Sequence, residues 1–465
     1  MIRPTLLLLV APFLATPALA AGEKRPQPNI LFLLADDLRW DTLGCMGNMV
    51  IRTPHIDGLA KKGVLFRNAF VTTSICCVSR ASILTGQYAR RHGINDFKTN
   101  LSAAAFAETY VALLRAAGYR VGFIGKFGVG DTMPTKEFDF WRGFPGQGAY
   151  FGKKETVHLT RRMGDQALEF LKDCDAKKPW CLSISFKSPH AMDKAKREYP
   201  PDPRDEELYK DARIPVPKTA DAKYFELLPK SVQESEGRRR WTWRFDEREK
   251  YQNIVRDYYR LITGMDREIG RVLAELERLG LLDNTLIVFL SDNGYFLGER
   301  GLADKWFMYE ESIRVPLIVV APGAPKSQRG KTVAAMALNI DVAPTFLDYA
   351  GLPAPKRMQG KSVRPLVEGK KTAWRTEWFY EHLTLPKIIP PSEGVRTERY
   401  SYIRWIDTAS PREELYDARE DPLEEHDLAG RPDQRELLEG CPLRRARGAE
   451  VKRGGPFPPT GFLTR

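Results

Sequence analysis

The chain has 465 residues, 43% of them apolar and 28% charged, with 72 Lys and Arg against 60 Asp and Glu and a net charge of +12. An apolar content just under the globular norm of ~45–50%, without a long single-sign block, excludes disordered and fibrous chains. The length allows one large domain with a smaller one appended. Six cysteines, at 45, 76, 77, 174, 181 and 441, are too few for a disulfide scaffold.

Residues 1–20 read as a cleavable signal peptide. Arg3 is their only charge, an apolar run covers 6–14, and Ala18-Leu19-Ala20 brings small residues at the end. The run is interrupted by Pro12 and is too short to span a bilayer, and no later segment is apolar for long enough. The mature chain is therefore expected to be secreted or periplasmic, with no membrane span. Its basic residues are interspersed with acids, which matches a polyanionic substrate outside the cytoplasm better than nucleic acid.

Residues 30–34 are continuously apolar between Pro28 and Asp36, as in a strand buried on both faces of a parallel sheet. Similar runs recur at 121–124, 182–186, 286–290 and 317–320. Between them Leu261, Met265, Ile269, Val272 and Leu276 mark one apolar helix face that Gly280 terminates, and 103–117 and 341–350 also read as helices. This alternation predicts an α/β domain over 28–352 with a large, mostly parallel sheet flanked by helices. Residues 191–250 break the rhythm as either a functional insertion or a mobile loop. Within them Arg238-Arg239-Arg240-Trp241-Thr242-Trp243-Arg244 reads more readily as a solvated helix start than as an anion-binding patch. Residues 353–373 form a connector, 374–440 a smaller α+β domain with strands at 377–380 and 400–405, and 441–465 a loosely held basic tail. Cys174 and Cys181 are close enough in sequence to pair across a short loop.

In open α/β sheets, ligands bind beyond the carboxyl ends of the strands. The four clearest strands deliver Asp36-Asp37, Gly125-Lys126, Lys187 with His190, and Asp292-Asn293-Gly294 to that edge. Asp36, Asp37, Asp292 and Asn293 are hard oxygen ligands that suit Ca²⁺ or Mg²⁺ better than zinc. The segment Ser74-Ile75-Cys76-Cys77-Val78-Ser79-Arg80-Ala81-Ser82-Ile83-Leu84-Thr85-Gly86 starts as a loop and continues as a helix. Cys76 then sits at a helix amino end, where free amides and the dipole favour anions.

This segment resembles the signature of the type I sulfatases, members of the alkaline phosphatase superfamily, which reads Cys-x-Pro-Ser-Arg and continues to Leu-Thr-Gly. Further landmarks follow in family order: Ala35-Asp36-Asp37, Thr53-Pro54-His55-Ile56-Asp57, Gly125-Lys126, Ser188-Pro189-His190, Ser291-Asp292-Asn293-Gly294-Tyr295, Arg314-Val315-Pro316 and Glu414-Leu415-Tyr416-Asp417. The doubled cysteine is similar to the branch of glucosamine-6-sulfatases and extracellular heparan sulfatases. The resemblance implies an alkaline phosphatase-like fold and hydrolysis of sulfate esters of a carbohydrate. It implies that a formylglycine-generating enzyme converts Cys76 to formylglycine, and that Asp36, Asp37, Asp292 and Asn293 bind one calcium ion together with residue 76. Arg80 supports the formylglycine hydrate. Lys126, His190 and Lys305 hold the sulfate and the leaving oxygen, with His190 as general acid. His92 matches a family position that is more often structural.

Two residues depart from the pattern. Val78 replaces the signature proline, which the converting enzyme reads, and Gly128 stands where many sulfatases carry a histidine after the Gly-Lys motif. Two other functions stay open at this point: a phosphodiesterase or phosphonate hydrolase of the same superfamily, and an inactive sulfatase-like protein that binds sulfated glycans.

Overall fold

The computed structural model describes residues 27–152, 156–174, 178–406 and 412–432. The expected signal peptide and the expected basic tail with Cys441 lie outside the described residues. In chain order the strands are β1 (Asn29–Asp36), β2 (Val64–Phe70), β3 (Arg120–Lys126), β4 (Phe140–Phe144), β5 (Trp180–Pro189), β6 (Thr285–Ser291), β7 (Phe296–Leu297), β8 (Ala303–Asp304), β9 (Arg314–Val320), β10 (Lys331–Val333), β11 (Ala337–Leu338), β12 (Glu377–His382), β13 (Ser392–Thr397), β14 (Tyr400–Trp405) and β15 (Glu413–Asp417).

The apolar run at 30–34 forms β1, which is buried along its whole length. Alternate side chains point to opposite faces of a strand, so this run feeds two cores at once. Leu31, Leu33 and Ala35 pack with Met163, Phe170 and Ile262. Ile30, Phe32 and Leu34 pack with Leu84, Tyr110 and Phe346. The first core is closed by the helices Leu159–Lys172 and Arg248–Arg278, the second by Cys76–Thr85, Tyr110–Ala116 and Val342–Tyr349. The result is a sheet between two helical layers, as the alternation predicts.

The main sheet runs β10-β2-β9-β6-β1-β5-β3-β4, with β11 paired to β2. All its pairings are parallel except those of β9 with β2 and β6. A separate antiparallel sheet, β12-β13-β14-β15, forms the smaller C-terminal unit. Its Trp378, Tyr380, Ile403 and Trp405 pack against Phe307, Met308 and Tyr309, so it buttresses the segment that follows Lys305. No helix among the described residues is long and apolar enough to cross a membrane.

Three local expectations change. The helix expected at 103–117 is two, Ala103–Ala107 and Tyr110–Ala116, because the Thr109 hydroxyl accepts from the Ala112 amide and starts a new helix there. Cys174 and Cys181 are both free; the Cys174 thiol donates to the Phe170 carbonyl, and Cys181 lies buried within β5. Residues 238–244 do belong to a helix, Glu236–Arg244, but it is solvated on one side only: Arg239 and Thr242 are exposed, while Arg244 is fully buried and ion-paired.

Candidate active site

Strands β1, β3, β5 and β6 are mutually parallel, so their carboxyl ends meet at one edge of the sheet. There β1 ends at Asp36, β3 ends at Lys126, β5 leads into His190 and β6 into Asp292-Asn293. All of these side chains are buried. Lys126 Nζ donates to Asp36 Oδ2 at 2.6 Å, and Lys305 Nζ donates to both Asp37 oxygens at 2.6 and 2.7 Å. Asn293 Nδ2 donates to Asp37 Oδ1 at 2.6 Å, and the Asp37 amide donates to Asp292 Oδ1 at 3.2 Å. His190 Nε2 stands 3.6 Å from Asp37 Oδ2.

Backbone geometry at this edge is unusual. Asp37, Asp304 and Trp306 hold φ of 66°, 70° and 86°. Left-handed conformations at non-glycine residues carry strain of about 1–3 kcal/mol each, and they concentrate where the fold must aim a side chain. Here they flank or include Asp37 and Lys305. Tyr258, from the long helix, donates to the Asp37 carbonyl at 2.6 Å and holds that turn in place.

Cys76 opens the helix Cys76–Thr85, whose residues are all buried. The first intrahelical bond in that turn is from Ser79 N to Ile75 O, so the amides of residues 76–78 have no acceptor inside the helix. One turn on, Arg80 donates through Nε to Asp292 Oδ2 at 2.8 Å and through Nη1 to Ser185 Oγ at 2.5 Å and to the Lys126 carbonyl. Its Nη2 makes no hydrogen bond among the described residues and stands 3.5 Å from Asp36 Oδ2. Cys76 lies within electrostatic reach of Arg80, Lys126 and Lys305. Position 78 lies in the first turn, where no amide donor is required, so valine and the signature proline are equally compatible with the helix.

Gly128 has a physical reason that its sequence context does not reveal. Its φ is +74°, and a Cβ there would lie 2.7 Å from Arg80 Cδ. The Arg80 side chain passes over the bare glycine on its way to Asp292. Replacing Gly128 with histidine, the residue many sulfatases carry, is therefore expected to impair this chain. The left-handed conformation strains any L side chain by about 1–2 kcal/mol, and Arg80 must shift. A lower thermal midpoint together with at least tenfold slower turnover, roughly the effect of one displaced site contact, is the expected outcome. Equal or higher turnover would show that the site tolerates a side chain there.

Three carboxylates thus face three fixed cations, all of them buried. Burial pushes Asp36 up, but the Lys126 ammonium, with Arg80 and Lys305 behind it, outweighs this and holds its carboxyl well below the usual range. Burial together with the Asp36 charge pushes Asp292 up to about 7, and burial also raises Asp37 despite Lys305. Burial drives His190 well below the usual imidazole value, so the ring is neutral. Its Nδ1 is 2.6 Å from the Ala191 carbonyl, which can only accept, so Nδ1 carries the proton and Nε2 is bare. Burial likewise lowers Lys187 to about 8; its Nζ donates to the same Ala191 carbonyl at 3.1 Å.

A hard cation fits these residues. Asp36 and Asp37 each offer a carboxylate oxygen within 4.8 Å of the other, beside the His190 ring. The buried oxygens Asp36 Oδ1 and Asn293 Oδ1 have no hydrogen-bond partner among the described residues. Crowded carboxylates and orphaned buried oxygens are what a divalent oxygen-ligated ion relieves. Such an ion would add two positive charges to the cluster, a setting for an anionic substrate.

The structure also brings in residues that the sequence did not single out. Gln147, on the exposed loop Gly146-Gln147-Gly148, accepts from Lys126 Nζ at 2.6 Å. Ser185 and Tyr258 anchor Arg80 and Asp37. A lone glutamine on a glycine-rich loop carries no chemical signal of its own. His92 is structural, bonded to Ser82 Oγ and the Ile94 amide.

Comparison with known proteins agrees with the signature. The sulfatase family model matches residues 28–352, and a model described as N-sulphoglucosamine sulphohydrolase, C-terminal, matches 298–443. An N-acetylglucosamine-6-O-sulfatase of Bacteroides thetaiotaomicron is 31% identical, over 94% of this chain and 89% of that protein. A protein solved in complex with its substrate D-glucosamine-2-N,6-O-disulfate superposes with a TM-score of 0.78 at 28% identity, covering 92% of this chain and 99% of that one. A phosphonate monoester hydrolase of Agrobacterium radiobacter shares the fold, with a TM-score of 0.73 at 22% identity and coverage of 92% and 95%.

Proposed function

Because this chain belongs to the sulfatase family and is a sulfuric ester hydrolase, we propose that it is an exported, calcium-dependent enzyme that removes sulfate from 6-O-sulfated N-acetylglucosamine or a related unit of a sulfated polysaccharide. The observation that carries this reading is the convergence of Asp36, Asp37, Asp292, Asn293, Arg80, Lys126 and Lys305 around the amino end of the Cys76 helix. In it Asp36, Asp37, Asp292, Asn293 and residue 76 would hold calcium, which would supply a Lewis acid that screens the sulfate charge. Formylglycine at position 76 would supply, as its hydrate, two hydroxyls on one carbon, a nucleophile and a second hydroxyl that makes the site self-clearing.

The chain's own residues do the rest. Lys126 and Lys305, held in place by Asp36 and Asp37, bind and orient the sulfate oxygens and stabilise charge in an in-line displacement. Arg80 directs its free Nη2 towards Asp36, beside the position where residue 76 opens its helix, and so supports the nucleophile. His190 Nε2, bare and buried, would accept the proton that the attacking hydroxyl at position 76 gives up and pass it to the leaving sugar oxygen. Full burial excludes water from these contacts.

Two measurements test this reading. Inorganic sulfate release from 6-O-sulfated N-acetylglucosamine is expected with a kcat/KM at least about tenfold above that for an aryl phosphonate, since a site fitted to one transition state discriminates by that much or more. The reverse order would place the chain with the phosphonate hydrolases. Chelation of calcium is expected to abolish turnover and to lower the thermal midpoint by a few degrees, because saturation at 100 Kd stabilises by about 2.7 kcal/mol. A melting curve indifferent to calcium would remove the ion from the site.

A further inference from the structure

We infer that a second, outer cleft on the 191–250 segment binds a further sulfated sugar of an extended substrate chain. The inference rests on the carbohydrate-sulfatase reading and extends it from a single residue to an oligosaccharide. The cleft has a volume of about 540 Å³ and is lined by Lys194, Lys196, Arg197, Trp243 and Lys250, over a floor that includes Tyr199. That volume lies within the ~300–1,000 Å³ usual for ligand sites.

Its charges are unequally committed. Glu198 is engaged by Arg244 Nε and the Lys194 amide, and Asp257 by Arg197 and Arg260, so both lining acids are neutralised within the protein. Lys250 pairs with Asp246. Lys194 and Lys196 are exposed, and neither ammonium has an ion pair among the described residues. Lys194 Nζ instead sits 6.0 Å from the Trp243 ring centroid, with Arg239 over the same ring at 5.5 Å. A half-buried indole beside ammonium groups that lack an ion pair offers a stacking face for a sugar ring and cations for its sulfate.

The cleft is tied to the active site through the residues behind it. Its residues begin four positions after His190, and Trp243 immediately precedes Arg244. Arg244 donates to Asp193 at 2.6 Å and to Asp304, the neighbour of Lys305. Tyr199 and Tyr295 share a hydroxyl hydrogen bond of 2.6 Å, and Tyr295 lies two residues beyond Asn293. The cation-aromatic motif at 238–244 thus divides its work. Arg240 and Arg244 are spent on Asp193 and Asp304 inside the protein, and Trp243 is left to face the cleft.

The test uses Lys194→Glu/Lys196→Glu, both exposed and so harmless to folding, and Trp243→Ala with Trp243→Phe as the conservative partner. The first readout is the ratio of kcat/KM on a sulfated heparin-type tetrasaccharide to that on the sulfated monosaccharide. The charge variant is expected to lower this ratio at least about fivefold, as reversal of two exposed charges does, more at low salt than high. Trp243→Ala should lower it as well, with Trp243→Phe restoring most of it. An unchanged ratio would overturn the inference. The second readout is calorimetric binding of the same tetrasaccharide to the Cys76→Ala background, which needs no turnover. Binding weakened by the charge variant supports the cleft even if no sulfate is ever released. Equal weakening for sulfated and desulfated tetrasaccharides, or tighter binding of a DNA oligomer than of the glycan, would overturn it.

Discussion

Cys76→Ala is expected to lower sulfate-ester turnover by roughly 10⁴-fold or more, the scale of removing a covalent nucleophile from a preformed site. The fold should survive the change. Cys76 is buried at the start of a helix, and alanine removes a single sulfur from a position without a side-chain cap. The adjacent Cys77 is the control. It is equally buried, but packs with Phe70, Ile75 and Trp306, and burial pushes its thiol well up. Cys77→Ala should therefore shift the thermal midpoint slightly and leave turnover within a few-fold. Similar losses for both variants would assign the doubled cysteine to packing alone.

Lys126→Ala is expected to reduce kcat/KM about 10²–10³-fold, the ~2.7–4 kcal/mol that one preorganised charged donor supplies to a developing anion. The ammonium is buried, paired to Asp36 at 2.6 Å and capped by Gln147 at 2.6 Å. Its removal takes away the group that most strongly holds Asp36 ionised. Gln147→Ala should show a smaller loss of the same kind, since it orients the lysine and carries no charge. Unchanged kinetics in Lys126→Ala would remove that residue from the sulfate site.

Much of the architecture is legible because β1, β3, β5 and β6 are buried on both faces, and such strands are dominated by apolar residues without charged interruptions until their carboxyl ends. Strand β2 is hidden because Arg67 and Asn68 interrupt it where it turns toward solvent, and β13, Ser-Glu-Gly-Val-Arg-Thr, reads as a loop. The acids, lysines and histidine at the strand ends are legible from the rule that parallel strands deliver their carboxyl ends to one edge. The fit of Gly128 beneath Arg80 is not, because it depends on two side-chain paths 48 residues apart in sequence meeting in space. The ion-paired fate of Arg240 and Arg244 is hidden for the same reason: their partners Asp193 and Asp304 come from distant parts of the chain.

The account turns on residue 76, and the mass of the tryptic peptide 68–80, from protein exported by a host that has the formylglycine-generating enzyme, tests it most directly. Loss of the thiol and gain of an aldehyde at Cys76 is the predicted result, and it would show that Val78 is accepted in place of proline. An unmodified Cys76 from that host, in protein that binds calcium and sulfated glycan without releasing sulfate, would contradict it.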